Sequence, residues 1–251
     1  MAQAPPSAAV LILHGGGETG LGPPPRGLLN LPAVRMRPFT RRLARATRGA
    51  TSSLGGPVLL RTTPYTHRGW NGAREDPLHD VLRALDALRS EAGEIPVVLL
   101  GHSMGGRAAL RAAGHPLVTG VVGLAPWCPA GDPVTQLAGR DVVLLHGTRD
   151  RTTSPRASQT LTATARREGA RSCLVTIGNS DHAMLRRAPS WHRLTTTLVT
   201  GLLGLAPLPT GVTKALDLPL DAEAAEGTVD LDRLRAVEDA DTSRDATAAR
   251  T

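Results

Sequence analysis

The residues best placed to do chemistry are Gly101, Ser103 and Gly105, which form a G-x-S-x-G motif. Residues 97–100 are apolar and predict a buried strand, and the Ala-rich stretch 107–113 predicts a helix. A sharp turn between strand and helix lifts a serine hydroxyl above the sheet and points helix N–H groups at a nearby anion. In such a turn a side chain at either glycine would collide with the neighbouring chain. The motif predicts a nucleophilic Ser103; the alternative is a serine that only caps the helix.

A serine nucleophile needs a base within hydrogen-bond reach and a carboxylate that orients the base. Asp150 follows a predicted strand at 141–145, and His182 follows the next one at 173–177. The chain order Ser, Asp, His is the order expected for a strand-turn-helix serine. We therefore predict Ser103 as nucleophile, His182 as general base and then acid, and Asp150 as the orienting carboxylate.

Two further histidines lie near this set and are given other roles. His102 directly precedes the serine, and its side chain should point away from the hydroxyl. His146 lies before the turn that carries Asp150, and we expect it to be structural. Asp181 is adjacent to His182 in the chain, and adjacent side chains rarely meet, so Asp150 is the preferred carboxylate.

A glycine run follows the first predicted strand and is the predicted source of an oxyanion donor. Glycines let backbone N–H groups approach a ligand without an intervening side chain. We expect the N–H groups of Gly16 and Met104 to form an oxyanion hole, with Gly17 as the next choice after Gly16. The alternative is a plain glycine-rich turn.

Apolar stretches alternate with helical periodicities along the chain. This pattern predicts an α/β fold, with a mostly parallel sheet of about six strands and helices on both faces. Ligand chemistry then belongs at the carboxyl ends of the strands, where Ser103, Asp150 and His182 all fall. The predicted strands are 8–13, 57–61, 97–100, 118–124, 141–145 and 173–177.

The composition divides the chain into a body and a tail. Residues 1–205 are the predicted domain and carry a net charge of +12, whereas residues 206–251 carry five basic and ten acidic residues. The second stretch is rich in Pro and Ala, so we expect a largely disordered tail with a short helix near 231–237. The 251-residue chain has a net charge of +7 and only 2% aromatic residues.

Several functional classes find no support in the sequence. The arginines are scattered and no nucleic-acid motif is present, so no nucleic-acid partner is expected. Residues 194–208 are too short and too rich in Thr to span a membrane, and the first apolar run lacks the charge of a signal peptide. Cys128 and Cys173 do not make a disulfide scaffold. No histidine pair has metal-ligand spacing. We expect a cytoplasmic protein that needs no metal or cofactor, with the oligomeric state left open.

The combined motifs resemble the α/β-hydrolase fold superfamily over residues 8–205. The resemblance implies a serine hydrolase that cleaves esters, thioesters or amides through an acyl-enzyme, with a small-molecule substrate. Residues 128–140 leave no room for a lid domain, so a small, lidless esterase is the expected member. A non-catalytic binding protein and a cofactor-free perhydrolase remain alternatives. The motifs are His14–Gly17, Gly101–Gly106, His146–Asp150 and Ser180–His182.

Three of the few aromatic residues lie on loops at the same end of the predicted sheet. Tyr65, Trp70 and Trp127 are predicted to line a substrate pocket, and the alternative is that they anchor these loops to the core. The loops at 18–34 and 62–76 are the expected cover of the site.

Overall fold

The computed structural model describes residues 4–48 and 55–234, and within them the chain forms one seven-stranded parallel sheet. The strand order is β2-β1-β3-β4-β5-β6-β7. The predicted α/β class and parallel sheet are confirmed, and the seventh strand lies beyond the predicted domain. The strands are β1 (Ala8–Leu13), β2 (Val58–Thr62), β3 (Val97–His102), β4 (Val118–Leu124), β5 (Asp141–Gly147), β6 (Arg171–Ile177) and β7 (Thr228–Asp230).

Helices cover both faces of the sheet. Alternate residues of β1 point to opposite faces: Val10 packs in one hydrophobic core with Phe39 and Trp191, and Leu11 packs in the other with Leu85. Burial on both faces explains why the central strands are almost continuously apolar. The helices are α1 (Leu31–Ala46), α2 (Asp76–Ala92), α3 (Met104–Ala112), α4 (Pro155–Arg167), α5 (Ala188–Leu202) and α6 (Thr210–Leu216).

Helix α1 begins earlier than the sequence indicates. The loop predicted at 18–34 ends at Asn30, whose side chain accepts a hydrogen bond from the Ala33 N–H at 3.2 Å and so caps the helix. Proline is most common in the first turn of a helix. Pro38 nevertheless lies inside α1.

The tail predicted to begin at residue 206 is ordered as far as the structure describes it. Helix α6 and strand β7 lie within it, and β7 pairs in parallel with residues 174–176 of β6. Val212 and Leu216 are buried in the core. The prediction of disorder is therefore wrong for residues 206–234. Residues 231–234 are helical, and the rest of the predicted helix at 231–237 lies outside the described residues.

The connection between β4 and β5 contains only one 3-10 turn, Thr135–Leu137, among its secondary-structure elements. No lid domain is inserted at this position, as the short spacing predicts. Among the described residues no helix is both long enough and apolar enough to cross a membrane. Cys128 and Cys173 are buried as free thiols, and burial raises the pKa of each to about 12.

Candidate active site

Ser103 lies on a strained turn between β3 and α3. Its backbone has φ 55° and ψ −117°, a conformation that costs energy for a residue with a side chain. A Cβ at Gly101 would lie 2.2 Å from the Gly105 carbonyl oxygen, and a Cβ at Gly105 would lie 2.5 Å from that of Leu13. The structure thus confirms that the turn excludes side chains at both glycines. Ser103 is fixed further because its N–H donates to the Leu124 carbonyl at 3.0 Å.

The three predicted catalytic side chains meet at the carboxyl ends of β3, β5 and β6. His182 Nε2 lies 3.1 Å from Ser103 Oγ, and His182 Nδ1 lies 2.8 Å from Asp150 Oδ2. With a neutral ring, Nδ1–H donates to the carboxylate and Nε2 accepts from the serine hydroxyl. This arrangement is the one that transfers a proton from a serine as it attacks.

Asp150 is held as a carboxylate. Its Oδ1 accepts hydrogen bonds from the backbone N–H groups of Thr152 and Thr153, at 2.8 and 2.9 Å. Burial by itself would raise the pKa of Asp150, but hydrogen bonds from His146, His182 and the Thr153 N–H outweigh burial and hold the pKa well below its usual range. The group is therefore an acceptor for the His182 ring at neutral pH.

Two buried residues beside Asp150 were not assigned to the site from the sequence. Thr153 Oγ1 lies 3.0 Å from Asp150 Oδ2 and 3.1 Å from His182 Nδ1. His146 Nε2 lies 3.2 Å from the same carboxylate oxygen, and its Nδ1 lies 2.8 Å from Ser158 Oγ. The Asp-x-x-Thr spacing was the available signal for Thr153, since such pairs share hydrogen bonds in turns.

His102 contacts the backbone of His182, the predicted general base. Its Nε2 lies 3.0 Å from the His182 carbonyl oxygen, to which a neutral ring donates. Burial, helped by the nearby His182, lowers the pKa of His102 to about 3, so the ring is neutral over the physiological range. The expectation that His102 does not serve the Ser103 hydroxyl agrees with this geometry.

The structure brings Gly16 and Met104 into contact. A Cβ at Gly16 would lie 2.4 Å from Met104 Cε and 2.6 Å from the Arg68 carbonyl oxygen, so only glycine fits there. Gly17 donates its N–H to the Arg68 carbonyl at 3.0 Å, which removes it as an oxyanion donor. Met104 is the first residue of α3, and N–H groups in the first turn lack intrahelical acceptors. Gly16 and Met104 remain the predicted oxyanion donors.

The loop that carries Gly16 is paired with the loop after β2. Gly17 and Gly69 form a parallel bridge, in which the backbone N–H of Trp70 donates to the Gly17 carbonyl at 3.0 Å. The pairing continues where the Gly69 N–H donates to the Gly20 carbonyl at 3.1 Å. The predicted cover loops therefore brace each other and fix the position of Gly16.

Two of the three aromatic residues predicted to line a pocket are buried. Trp70 is 1% exposed and its ring stacks 3.9 Å from the Arg107 guanidinium, while Tyr65 is 6% exposed and packs edge-on against His14. This burial is what the anchoring alternative predicts, and contact of Tyr65 and Trp70 with substrate stays a prediction. Trp127 is partly exposed, and its backbone N–H donates to the Ser103 carbonyl at 3.1 Å. Contact of the Trp127 ring with substrate stays a prediction.

In the part of the chain that the structure describes, no three His, Cys, Asp or Glu side chains are grouped so that they could hold a metal ion.

Comparisons with known proteins agree with the fold. The model of a family described as serine aminopeptidase, S33, matches residues 61–143, which include Ser103 but neither Asp150 nor His182. No curated protein matches the chain.

The similarity to solved structures covers more of the chain than the family model does. A Pyrobaculum calidifontis esterase is 14% identical over 82% of this chain and 79% of its own, with a TM-score of 0.58. A Xanthomonas campestris serine hydrolase without a lid is 17% identical over 82% and 85%, with a TM-score of 0.54. A Paleococcus ferrophilus monoacylglycerol lipase is 17% identical over 81% and 97%, with a TM-score of 0.52.

The parallel sheet, the turn at Ser103 and these similarities show that the chain has the α/β-hydrolase fold.

Proposed function

We propose that this protein is a serine hydrolase that cleaves carboxylic esters through an acyl-enzyme, with thioesters and amides as chemically related substrates. The observation that carries the proposal is the hydrogen-bonded series from Ser103 through His182 to Asp150, at 3.1 and 2.8 Å. The strained backbone of Ser103 adds support because such strain is typical of an exposed nucleophile.

In the first half of the proposed reaction, Ser103 Oγ attacks the carbonyl carbon of the ester. His182 Nε2 takes the hydroxyl proton, and Asp150 stabilises the imidazolium through its contact with Nδ1. The oxygen of the tetrahedral intermediate carries the negative charge and accepts hydrogen bonds from the Gly16 and Met104 N–H groups. The intermediate collapses when His182 gives its proton to the leaving alcohol.

In the second half, a water molecule replaces the alcohol. His182 takes a proton from this water as it attacks the acyl carbon, and the same two N–H groups hold the second oxyanion. Collapse returns the proton to Ser103 Oγ and releases the carboxylic acid. The proposed cycle uses no cofactor. The proposed partner is a small-molecule ester. A cytoplasmic location is still only an expectation from the sequence.

Hydrolysis of p-nitrophenyl acetate by wild-type protein and by Ser103→Ala tests this proposal. We expect turnover by the wild type and a loss of about 10⁴-fold or more in kcat for the variant, since the attacking atom is removed. Circular dichroism should show that both proteins are folded. Equal rates for the two proteins would reject Ser103 as nucleophile. A folded wild type without turnover on any ester or thioester would favour a non-catalytic binding protein.

A further inference from the structure

Arg107 lies one turn after Ser103 on α3, and its side chain contacts both the loop after β2 and the loop after β4. Its guanidinium carbon lies 3.9 Å from the centre of the Trp70 ring and 4.4 Å from that of the Trp127 ring. The two rings are 6.3 Å apart and nearly perpendicular, at 82°. The guanidinium therefore occupies a corner between two indole rings, and such contacts favour a cation that is withdrawn from water.

Asp132, in the loop after β4, is the ionic partner of Arg107. The Nε and one terminal nitrogen of Arg107 donate to the two carboxylate oxygens of Asp132, at 2.6 and 2.7 Å. The two side chains are only 12% and 13% exposed. A pair this buried contributes little net stability, because withdrawing both charges from water costs about as much as their attraction returns. The two parallel hydrogen bonds do, however, fix the geometry between the helix and the loop.

The backbones of the residues around this guanidinium hold parts of the candidate site. The Ser103 carbonyl accepts hydrogen bonds from the backbone N–H groups of Arg107 and Trp127, each at 3.1 Å. The backbone N–H of Trp70 donates to the Gly17 carbonyl at 3.0 Å, in the bridge between the loops after β1 and β2. The Arg107 side chain thus joins the serine turn to the loop that braces a predicted oxyanion donor.

We propose that Arg107 is a positioning residue that sets the distance between the two predicted oxyanion donors, an inference that rests on the proposed function. Met104 begins α3, the helix that carries Arg107, whereas Gly16 lies in the loop that Trp70 holds. A guanidinium that fixes Trp70 against α3 therefore fixes one donor relative to the other. Lysine would do this poorly, because an ammonium group neither stacks flat on a ring nor donates as a fork to both carboxylate oxygens.

Arg107→Lys tests the proposal because it keeps the charge and most of the aliphatic stem while it removes the flat fork. With p-nitrophenyl acetate we expect kcat per active serine to fall about 10- to 100-fold and KM to stay within about threefold. The reason is that a displaced oxyanion donor weakens binding of the transition state and not of the ester. Active serines are counted by titration with a fluorophosphonate, so that unfolded protein does not enter the rate.

Inhibition by an alkyl trifluoromethyl ketone gives a readout that a general loss of packing would not move. Ser103 Oγ attacks the ketone carbon, the hydroxyl proton goes to His182 Nε2, and the carbonyl electron pair moves to the oxygen, which becomes an anion in the oxyanion hole. This adduct resembles the transition state of the proposed reaction. Its Ki should therefore rise in Arg107→Lys by about the same factor as kcat/KM falls.

Arg111→Lys is the matched control on the same helix. Arg111 lies one turn beyond Arg107, is 19% exposed, donates to Glu75 at 2.9 Å and lies 3.8 Å from Asp132. Within the described part of the chain its guanidinium stacks on neither of the two indole rings. We expect kcat, KM and Ki of this variant to stay within about twofold of the wild-type values, because no predicted oxyanion donor depends on it.

The outcomes separate the role of Arg107 from the proposed function. An active wild type would overturn the Arg107 proposal alone if Arg107→Lys kept the wild-type kcat, if both lysine variants lost equally, or if kcat fell without a matching rise in Ki. If Arg107→Lys does not fold, Asp132→Asn decides the matter. It breaks the ion pair but keeps one acceptor oxygen, and should lower kcat and raise Ki about three- to tenfold. Wild-type values for Asp132→Asn would then overturn the proposal. A folded wild type that hydrolyses no ester would overturn the proposed function, and the role of Arg107 with it.

Discussion

Asp150 Oδ2 is the most crowded polar atom of the candidate site. His182 Nδ1, Thr153 Oγ1 and His146 Nε2 lie 2.8, 3.0 and 3.2 Å from it. A carboxylate with one such contact is free to rotate, whereas these contacts fix its position and the direction of the His182 ring. The orienting task is therefore shared among buried side chains beyond Asp150 itself.

Thr153→Val removes the hydroxyl that contacts both Asp150 and His182 while nearly conserving volume. We expect kcat to fall about 10- to 100-fold with little change in KM, because a hydrogen bond to a charged group contributes about 1.5–3 kcal/mol. Ester kinetics check this. The control is Thr164→Val, since that hydroxyl bonds only to the Thr160 carbonyl within α4. Equal kcat values for the two variants would show that Thr153 does not position the site.

Among the structural elements, the paired loops after β1 and β2 fix the position of Gly16, a predicted oxyanion donor. Gly17 in the loop after β1 is bridged to Gly69 in the loop after β2. The Arg68 carbonyl accepts the Gly17 N–H, so Gly16 is the glycine of this pair whose N–H we predict as an oxyanion donor. The loop after β2 thus holds Gly16 in position, although this loop supplies no predicted oxyanion donor itself.

Gly69→Ala tests this brace. Its methyl group would lie 2.3 Å from the Thr19 carbonyl carbon and 2.4 Å from the Gly20 nitrogen, so the pairing must separate. We expect kcat to fall about 10- to 100-fold, since loss of an oxyanion donor typically costs about 10²–10³. Gly22→Ala is the matched control, because a Cβ there meets nothing within 4 Å. A Gly69→Ala enzyme as fast as the control would refute the brace.

Local sequence patterns predicted the side chains of the candidate site. They did not predict the contact between the two loops beside it, for a physical reason. The G-x-S-x-G turn and the residues after β5 and β6 are short-range signals, and they predicted three side chains that the structure brings together. The pairing of Gly17 with Gly69 is a long-range contact between two loops without apolar periodicity, so it left no pattern to detect.

At the scale of the whole molecule, the C-terminal stretch completes the fold. Its composition favoured disorder, yet Val212 and Leu216 are fully or almost fully buried. The Arg166 guanidinium, itself buried, donates to the carbonyls of Ser172 and Ala222 and so ties α4 to this stretch. Average composition could not reveal that a few apolar residues are spaced to cover the sheet beside β6.

Buried neutral histidines make the stability of the whole fold depend on pH. The pKa of His102 is lowered to about 3, mainly by burial, whereas an unfolded chain has a histidine pKa near 6.5. Below pH 6.5 the unfolded state binds more protons, so stability falls as the pH drops toward 3. The lowered pKa values of His14 and His192 also reduce the stability of the fold as the pH falls below about 6.5. The lowered pKa of Asp150 reduces stability only below about pH 4.

His102→Gln isolates this contribution because the amide keeps a donor for the His182 carbonyl without titrating. Between pH 7 and pH 4.5 the wild type should lose about 2–3 kcal/mol more unfolding free energy than the variant. Urea unfolding at the two pH values measures the difference. Parallel losses for both proteins would mean that His102 is not the buried neutral group described above.

The most direct test of the central claim is the intact mass of the protein after treatment with a small fluorophosphonate. Wild type, Ser103→Ala and His182→Ala should be compared, with circular dichroism to show that each is folded. We expect one adduct on the wild type, none on Ser103→Ala and at most slow labelling of His182→Ala, because the hydroxyl reacts only when a base removes its proton. A folded wild type that gains no adduct, or labelling that persists without Ser103, would contradict it.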